Sequence, residues 1–121
     1  MSELVEKAAA AAANAYAPYS KYNVGAVVRT NDGREFAGVN VENAAYPLGV
    51  CAERTAIAKA ATEGVRPGDI DAIGITASPC GGCRQWLHEW KIERVYFRRA
   101  DGSIADYAPA SELLPDTWDL P

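Results

Sequence analysis

Three cysteines are the residues of this sequence whose types and spacing favour chemistry. Cys80 and Cys83 stand three residues apart, and at the start of a helix this spacing places both sulfurs on one side of the first turn. There they can hold one metal ion about 2.3 Å from each sulfur. Cys51 also stands at an expected helix start, where backbone N–H groups and the helix dipole favour the thiolate. The three thiols predict a zinc centre.

The ligand set that these cysteines offer is incomplete. A structural zinc site is normally closed by a fourth Cys or His, but the only histidine, His88, lies two turns along the expected helix from Cys80. We expect water in the fourth position, and zinc lowers the pKa of such a water toward about 7. The sequence therefore predicts hydrolytic zinc chemistry.

Two charged residues follow Cys51 closely. Glu53, in the first turn of the expected helix, is the predicted proton shuttle for that water, because a carboxylate there can reach it without ligating the metal. Three thiolates around a dication leave one net negative charge. Arg54, at i,i+3 from Cys51, is predicted to bond a thiolate and offset this charge.

Two other interpretations use the same cysteines. Cys80 and Cys83 could form a reversible redox disulfide, although Cys51 and Glu53 would then have no role. Alternatively, the chain could be a non-catalytic, zinc-stabilised binding module, which would need a closed ligand shell and no use for Glu53. Thiol titration with and without a chelator tests the redox interpretation, and metal content together with an inactive purified protein would favour the binding module.

Hydrophobic periodicity and turn residues predict the elements that must position these side chains. Helices are expected over 4–15, 51–63 and 80–90, the last with Ser78 as N-cap and Pro79 at its first position. Strands are expected over 24–30, 34–39, 70–76, 94–98 and 104–107, the first two joined as a hairpin at Asp32-Gly33. This order predicts an α/β fold: a single domain over 1–121, built as a three-layer α/β/α sandwich around a central mixed sheet of about five strands.

Composition narrows the classes of function. The 12 Lys and Arg against 16 Asp and Glu give a net charge of -4, with no basic stripe, so no nucleic-acid partner is expected. The alanine-rich N-terminal run is interrupted by charged residues, so neither a signal peptide nor a membrane span is expected. An odd number of cysteines with a Cys-x-x-Cys pair favours a reducing, cytoplasmic location.

Two segments that carry these residues, 51–57 and 78–85, resemble the signatures of the small homo-oligomeric cytidine deaminases. The resemblance extends over 19–26, 38–47 and 112–115 and so covers nearly the whole chain. It implies one zinc ion per subunit, held by Cys51, Cys80 and Cys83, and Glu53 as the catalytic residue. The implied reaction is hydrolysis of cytidine or deoxycytidine to uridine or deoxyuridine with release of ammonia, in pyrimidine nucleoside salvage.

The resemblance also implies substrate-binding residues. Asn40 and Glu42 would bind the ribose hydroxyls, which their amide and carboxylate groups suit. Tyr22 replaces the family's usual Phe near the base, and backbone groups near Ala52 would hold the base edge. Trp118 replaces a Phe that closes a neighbouring subunit's pocket, and a homotetramer, with a dimer as the alternative, follows from the family.

The substrate itself stays open between related compounds. The same chemistry would act on a blasticidin S-type antibiotic, on cytosine or isocytosine, or on a modified pyrimidine. Asn40 and Glu42 favour a substrate that carries a sugar. A nucleic-acid deaminase would need basic or aromatic surface to hold a strand, which the acidic balance disfavours.

Overall fold

The computed structural model describes residues 2–121. Its α-helices are α1 (Ser2–Ala12), α2 (Ala52–Thr62) and α3 (Gly81–Glu89), and its strands are β1 (Gly25–Thr30), β2 (Glu35–Val39), β3 (Ile70–Ile75), β4 (Arg94–Arg98) and β5 (Ile104–Tyr107). Short 3-10 helices occupy Tyr46–Leu48 and Ala110–Leu113. Among the described residues, no helix has the length and apolar character needed to cross a membrane.

The five strands form one mixed sheet in the order β2-β1-β3-β4-β5. Only β3 and β4 pair in parallel, while every other neighbouring pair is antiparallel. Because β1 runs opposite to both of its neighbours, β2 and β3 point the same way. The carboxyl ends of β2, β3 and β4 therefore lie at one edge of the sheet.

Along each strand the side chains alternate between the two faces of the sheet, and helices pack on both faces. Val27, Ala72 and Tyr96 pack with Leu4, Val5 and Ala8 of α1 on one face. The residues between them in the strands point to the other face, where α2 and α3 pack. That core includes Ala26, Val28, Ile73, Ile75, Val95 and Phe97 from the sheet and Ala56, Ile57, Ala60 and Leu87 from the helices. The predicted α/β/α sandwich with a five-stranded mixed sheet is confirmed.

Two predicted helix boundaries are wrong by a few residues. Helix α1 ends at Ala12 rather than at residue 15, because the chain turns away and Tyr16 exchanges backbone hydrogen bonds with Asn40 and Glu42. Helix α3 begins at Gly81, and its N-cap is Cys80 rather than Ser78. The Ser78 hydroxyl instead accepts a hydrogen bond from Arg84.

Strand β2 and helix α2 approach each other closely at Gly38. A methyl group on Gly38 would lie 2.3 Å from the Ala56 nitrogen and 2.5 Å from the Ala52 carbonyl oxygen. The Thr55 hydroxyl lies at the same contact, 2.8 Å from the Val39 carbonyl oxygen, to which it donates a hydrogen bond. The start of α2 is therefore fixed against the end of β2.

Replacing Gly38 with Ala tests this contact. The added methyl group overlaps backbone atoms, so Gly38→Ala is expected to destabilise the fold by about 1–3 kcal/mol and to lower the melting temperature by roughly 4–12 °C. Thermal unfolding followed by circular dichroism measures this. Gly81→Ala is the matched control, because a methyl group there meets no atom within 4 Å. An unchanged melting temperature for Gly38→Ala would contradict the close packing of β2 on α2.

Candidate metal centre and active site

The three cysteines lie where two helices begin, at the sheet edge that carries the carboxyl ends of β2 and β3. Cys51 is the N-cap of α2 and Cys80 is the N-cap of α3. Cys83 lies in the first turn of α3, and its backbone N–H donates a hydrogen bond of 3.4 Å to the Cys80 sulfur. Helix N-termini carry unpaired N–H groups and partial positive charge, which favour thiolates.

The sulfur atoms are close enough to share one ion. The Sγ atoms of Cys51 and Cys80 are 3.9 Å apart, and the three Sγ atoms all lie within 4.8 Å of one another. Two sulfurs bound tetrahedrally to one zinc ion would be roughly 3.8 Å apart. The donor set therefore fits zinc in both type and spacing.

The electrostatics of the thiols also fit a cation. Burial raises the pKa of Cys83 and of Cys51, and the nearby Glu53 carboxylate raises both further. Burial opposes ionisation of Cys80 too, but hydrogen bonds from the Cys83 N–H and from the thiols of Cys83 and Cys51 together outweigh it and lower the pKa of Cys80. A divalent cation among the sulfurs would supply the missing positive charge and hold all three as thiolates.

Glu53 is the second residue of α2 and is only 4% exposed, although it is acidic. Burial raises the pKa of the Glu53 carboxyl above its usual value, against the opposing effects of its own backbone N–H, the Cys83 thiol and Arg54. A carboxyl with a raised pKa can both accept and release a proton near neutral pH. Its burial beside the sulfurs is unusual for a residue with a structural role alone.

Arg54 turns its guanidinium toward the cysteines. Burial lowers the pKa of Arg54, but the negative charge and hydrogen bonding of Cys83, together with the charges of Cys51 and Cys80, raise it by more. The guanidinium also fills the space over Gly82, where a methyl group would lie 2.3 Å from Nη2. Within residues 2–121, the buried Arg54 Nε has no hydrogen-bond partner. The Arg54 charge lies beside the sulfurs, and no carboxylate of the described residues forms an ion pair with it.

Asn40 and Glu42 lie just after β2 and line a groove of about 230 Å³ that reaches Cys51. Asn40 donates from Nδ2 to the Tyr22 carbonyl oxygen at 2.9 Å and accepts from the Val24 N–H at 2.8 Å. Glu42 Oε1 accepts from the N–H groups of Tyr19 and Ser20 at 3.0 and 3.1 Å. The groove thus joins two polar side chains to the predicted metal centre. Its lining is Asn40, Val41, Glu42, Asn43, Tyr46, Gly49, Val50 and Cys51.

The remaining predicted binding residues are placed differently. Ala52 is buried at the start of α2, directly beside Cys51. Tyr22 and Trp118 are 61% and 66% exposed, and neither lines the groove. Trp118 lies in the C-terminal segment, and its backbone carbonyl oxygen accepts a hydrogen bond from Gln85 Nε2 at 3.3 Å. The structure therefore brings Asn40, Glu42 and Ala52 to the cysteines but leaves both aromatic rings outside the groove.

Two residues at this site are given no individual role by the sequence analysis. Thr55 joins α2 to the end of β2 through its hydroxyl. Ser20 donates a hydrogen bond from its hydroxyl to Glu42 Oε2. The signal for Thr55 lies in its place one turn after an N-cap, whereas nothing in the local sequence pairs Ser20 with a residue 22 positions away.

Comparisons with known proteins agree with this geometry. The family described as the cytidine and deoxycytidylate deaminase zinc-binding region matches residues 1–99. The chain is 42% identical to the cytidine deaminase of Halalkalibacterium halodurans, over 95% of this chain and 91% of the relative.

Solved structures give the same result. The crystal structure of cytidine deaminase from Burkholderia pseudomallei has a TM-score of 0.89 at 43% identity, covering 97% of this chain and 98% of that one. Cytidine deaminase from Mycobacterium tuberculosis has a TM-score of 0.81 at 33% identity, covering 98% and 97%. The fold and the three-cysteine site define a zinc-dependent hydrolase. The chain belongs to the zinc-binding cytidine and deoxycytidylate deaminase family.

Metal analysis of single-cysteine variants tests the predicted ligands. The purified chain is expected to carry about one zinc ion, and Cys51→Ser, Cys80→Ser and Cys83→Ser are each expected to lose most of it and to melt at lower temperature. Inductively coupled plasma mass spectrometry measures the zinc. His88→Ala is the control and should keep its zinc, because His88 Nε2 pairs with Asp119 at 2.8 Å instead. Full zinc content in any of the cysteine variants would remove that residue from the ligand set.

Proposed function

We propose that this chain catalyses the zinc-dependent hydrolytic deamination of cytidine and deoxycytidine, giving uridine and deoxyuridine with release of ammonia. The observation that carries the proposal is the convergence of Cys51, Cys80 and Cys83 beside the buried Glu53. Support for the substrate comes from relatives that bear the name cytidine deaminase. We further propose that 1–121 forms a single deaminase domain.

In this proposal Cys51, Cys80 and Cys83 hold the zinc ion. Zinc, when bound, makes a water acidic enough to act as a nucleophile at neutral pH. Arg54 offsets the excess negative charge of the three thiolates, because its guanidinium lies beside Cys83. A less negative sulfur cluster helps the water to lose its proton.

Glu53 moves the protons of the reaction. Its carboxylate takes a proton from the attacking water and passes it to the ring nitrogen, while the water oxygen bonds to the carbon that bears the amino group. Glu53 then delivers the second proton of the water to the departing amino group. Water and cytidine are consumed, ammonia and uridine are formed, and Glu53 returns to its initial state. Its raised pKa suits a group that must both accept and donate.

Asn40 and Glu42 have hydrogen-bonding capacity left for a sugar. A carboxylate offers about four lone-pair sites, and internal donors occupy three of those on Glu42. Asn40 uses one of its two N–H groups and one lone pair. One N–H and two acceptor sites therefore stay available for ribose hydroxyls, which both donate and accept. Ala52, through its backbone, would face the base.

We also propose a homotetramer in a reducing, cytoplasmic compartment. Seven of the nine large apolar side chains that are exposed among the described residues belong to segments 16–22 and 41–50, which form or flank the groove, and this supports a covering partner subunit. They are Tyr16, Tyr19, Tyr22, Val41, Tyr46, Leu48 and Val50. In an assembly of this kind, the exposed Trp118 and Tyr22 would contact substrate or a neighbouring pocket. Free thiols at the metal centre support the reducing compartment.

Turnover of a substrate panel tests the proposed reaction. Zinc-loaded protein is expected to release ammonia from cytidine and deoxycytidine, with the matching ultraviolet change, and to be far slower with cytosine, isocytosine, blasticidin S and adenosine. Turnover of only cytosine, isocytosine, blasticidin S or adenosine would support deaminase chemistry on a different substrate. No turnover of any member would contradict the proposal.

Replacement of Glu53 tests the proton shuttle. Glu53→Gln keeps the shape of the side chain but cannot carry protons, so kcat is expected to fall by at least about 10²-fold while zinc content stays at the wild-type level. Glu89→Gln, which changes an exposed carboxylate of α3, should match wild type. Wild-type kcat in Glu53→Gln would exclude Glu53 as the shuttle.

A further inference from the structure

The side chain of Ser20 connects parts of the groove that the proposed sugar contacts would use. Its hydroxyl donates to Glu42 Oε2 and accepts from the Tyr22 N–H at 3.0 Å. The Ser20 N–H donates to the other carboxylate oxygen, Oε1, at 3.1 Å. One residue therefore holds both oxygens of Glu42 and also fixes the backbone of Tyr22.

Asn40 binds the same short segment from the other side. Its side chain donates to the Tyr22 carbonyl oxygen and accepts from the Val24 N–H. The loop 19–24, Asn40 and Glu42 thus form one hydrogen-bonded unit. Without the Ser20 hydroxyl, the Glu42 carboxylate would keep two backbone donors to Oε1 and would lose the only donor to Oε2 that residues 2–121 supply.

The backbone conformation of this loop places the Ser20 hydroxyl within reach of the Tyr22 N–H. Lys21 has φ of +61°, a left-handed conformation that costs energy for a non-glycine residue and persists where surrounding contacts impose it. The Lys21 N–H donates to the Ala17 carbonyl oxygen at 3.0 Å. This turn brings the Ser20 hydroxyl to the Tyr22 N–H, a local side-chain to backbone bond that serine favours.

We propose that Ser20 is a positioning residue for the sugar end of the substrate: it orients the Glu42 carboxylate so that the free lone pair on Oε2 faces a ribose hydroxyl. This inference rests on the proposed nucleoside deaminase function. The Ser20 hydroxyl also contributes most to lowering the pKa of Glu42, which keeps the carboxylate charged and accepting. Ser20 does not touch the reacting atoms and acts through Glu42.

Steady-state kinetics of Ser20→Ala with cytidine and 2′,3′-dideoxycytidine test the proposal. For cytidine, KM is expected to rise by roughly 5- to 20-fold, the effect of weakening one hydrogen bond to a charged group, with kcat within about twofold of wild type. For 2′,3′-dideoxycytidine, which lacks both hydroxyls, wild type and variant should have the same KM. Ser20→Thr keeps the hydroxyl and should restore the KM for cytidine.

Ser103→Ala is the matched control. The Ser103 hydroxyl also donates to a carboxylate, that of Asp101 at 2.6 Å, but it lies in the β4–β5 turn outside the groove lining, and its removal should change neither KM. An equal rise of KM for both nucleosides would show general loosening of the loop and would overturn the proposal. Wild-type KM for cytidine in Ser20→Ala would overturn it as well.

Backbone amide exchange, measured by NMR on the zinc-loaded chain, separates this inference from the proposed function. Ser20→Ala is expected to accelerate exchange of the Tyr22 amide, which bonds to the Ser20 hydroxyl, and Ser20→Thr to restore it. Failure of wild type to deaminate cytidine would overturn the proposed function, whatever the exchange rates. Normal wild-type turnover with an unchanged Tyr22 amide in Ser20→Ala would overturn the positioning role alone.

Discussion

Three sulfurs can share one ion only if the first turns of α2 and α3 are held side by side, and most of the fold serves that requirement. The two helices follow β2 and β3, which point the same way because β1 lies antiparallel between them. Helix α2 packs on the sheet partly through the small residues Ala56 and Ala60, so it sits close to the strands. Gly38 and Thr55 then fix the register of α2 along β2. An error at this contact would move Cys51 relative to Cys80.

A second constraint is the opposition between burial and charge around the sulfurs. Burial raises the pKa of Glu53, Cys51 and Cys83, and the Glu53 carboxylate raises the pKa of both thiols further. Arg54 and the two helix N-termini offset part of that effect. The cysteine cluster is therefore more stable with a bound cation than without one. Metal binding and the stability of this end of the molecule are coupled for this reason.

The sequence predicts much of this structure, and the errors have physical reasons. Strands β4 and β5 match their predicted bounds, because short runs rich in β-branched and aromatic residues between turns are a local signal. Helix α2 ends within one residue of its predicted C-terminus, and Gly64 follows the C-cap with φ of +92°. The cysteine motifs predict the zinc ion and the family, and the order of helices and strands predicts the sandwich. The predicted N-cap of α3 is wrong because the Cys80 thiol caps the helix, whereas capping preferences favour serine and so indicate Ser78. The network of Ser20, Asn40 and Glu42 depends on contacts distant in sequence, which periodicity cannot reveal.

Helix α1 has a bearing on how the chain reaches this state during synthesis. It is translated before the strands β1, β3 and β4 on which it packs, and β4 ends only at Arg98. A helix of 11 residues is marginal by itself in water. Helix α1 must therefore stay largely unstructured during synthesis until β4 has been translated. Completion of the sheet, rather than growth from the N-terminus, is the step that commits this chain to its native form.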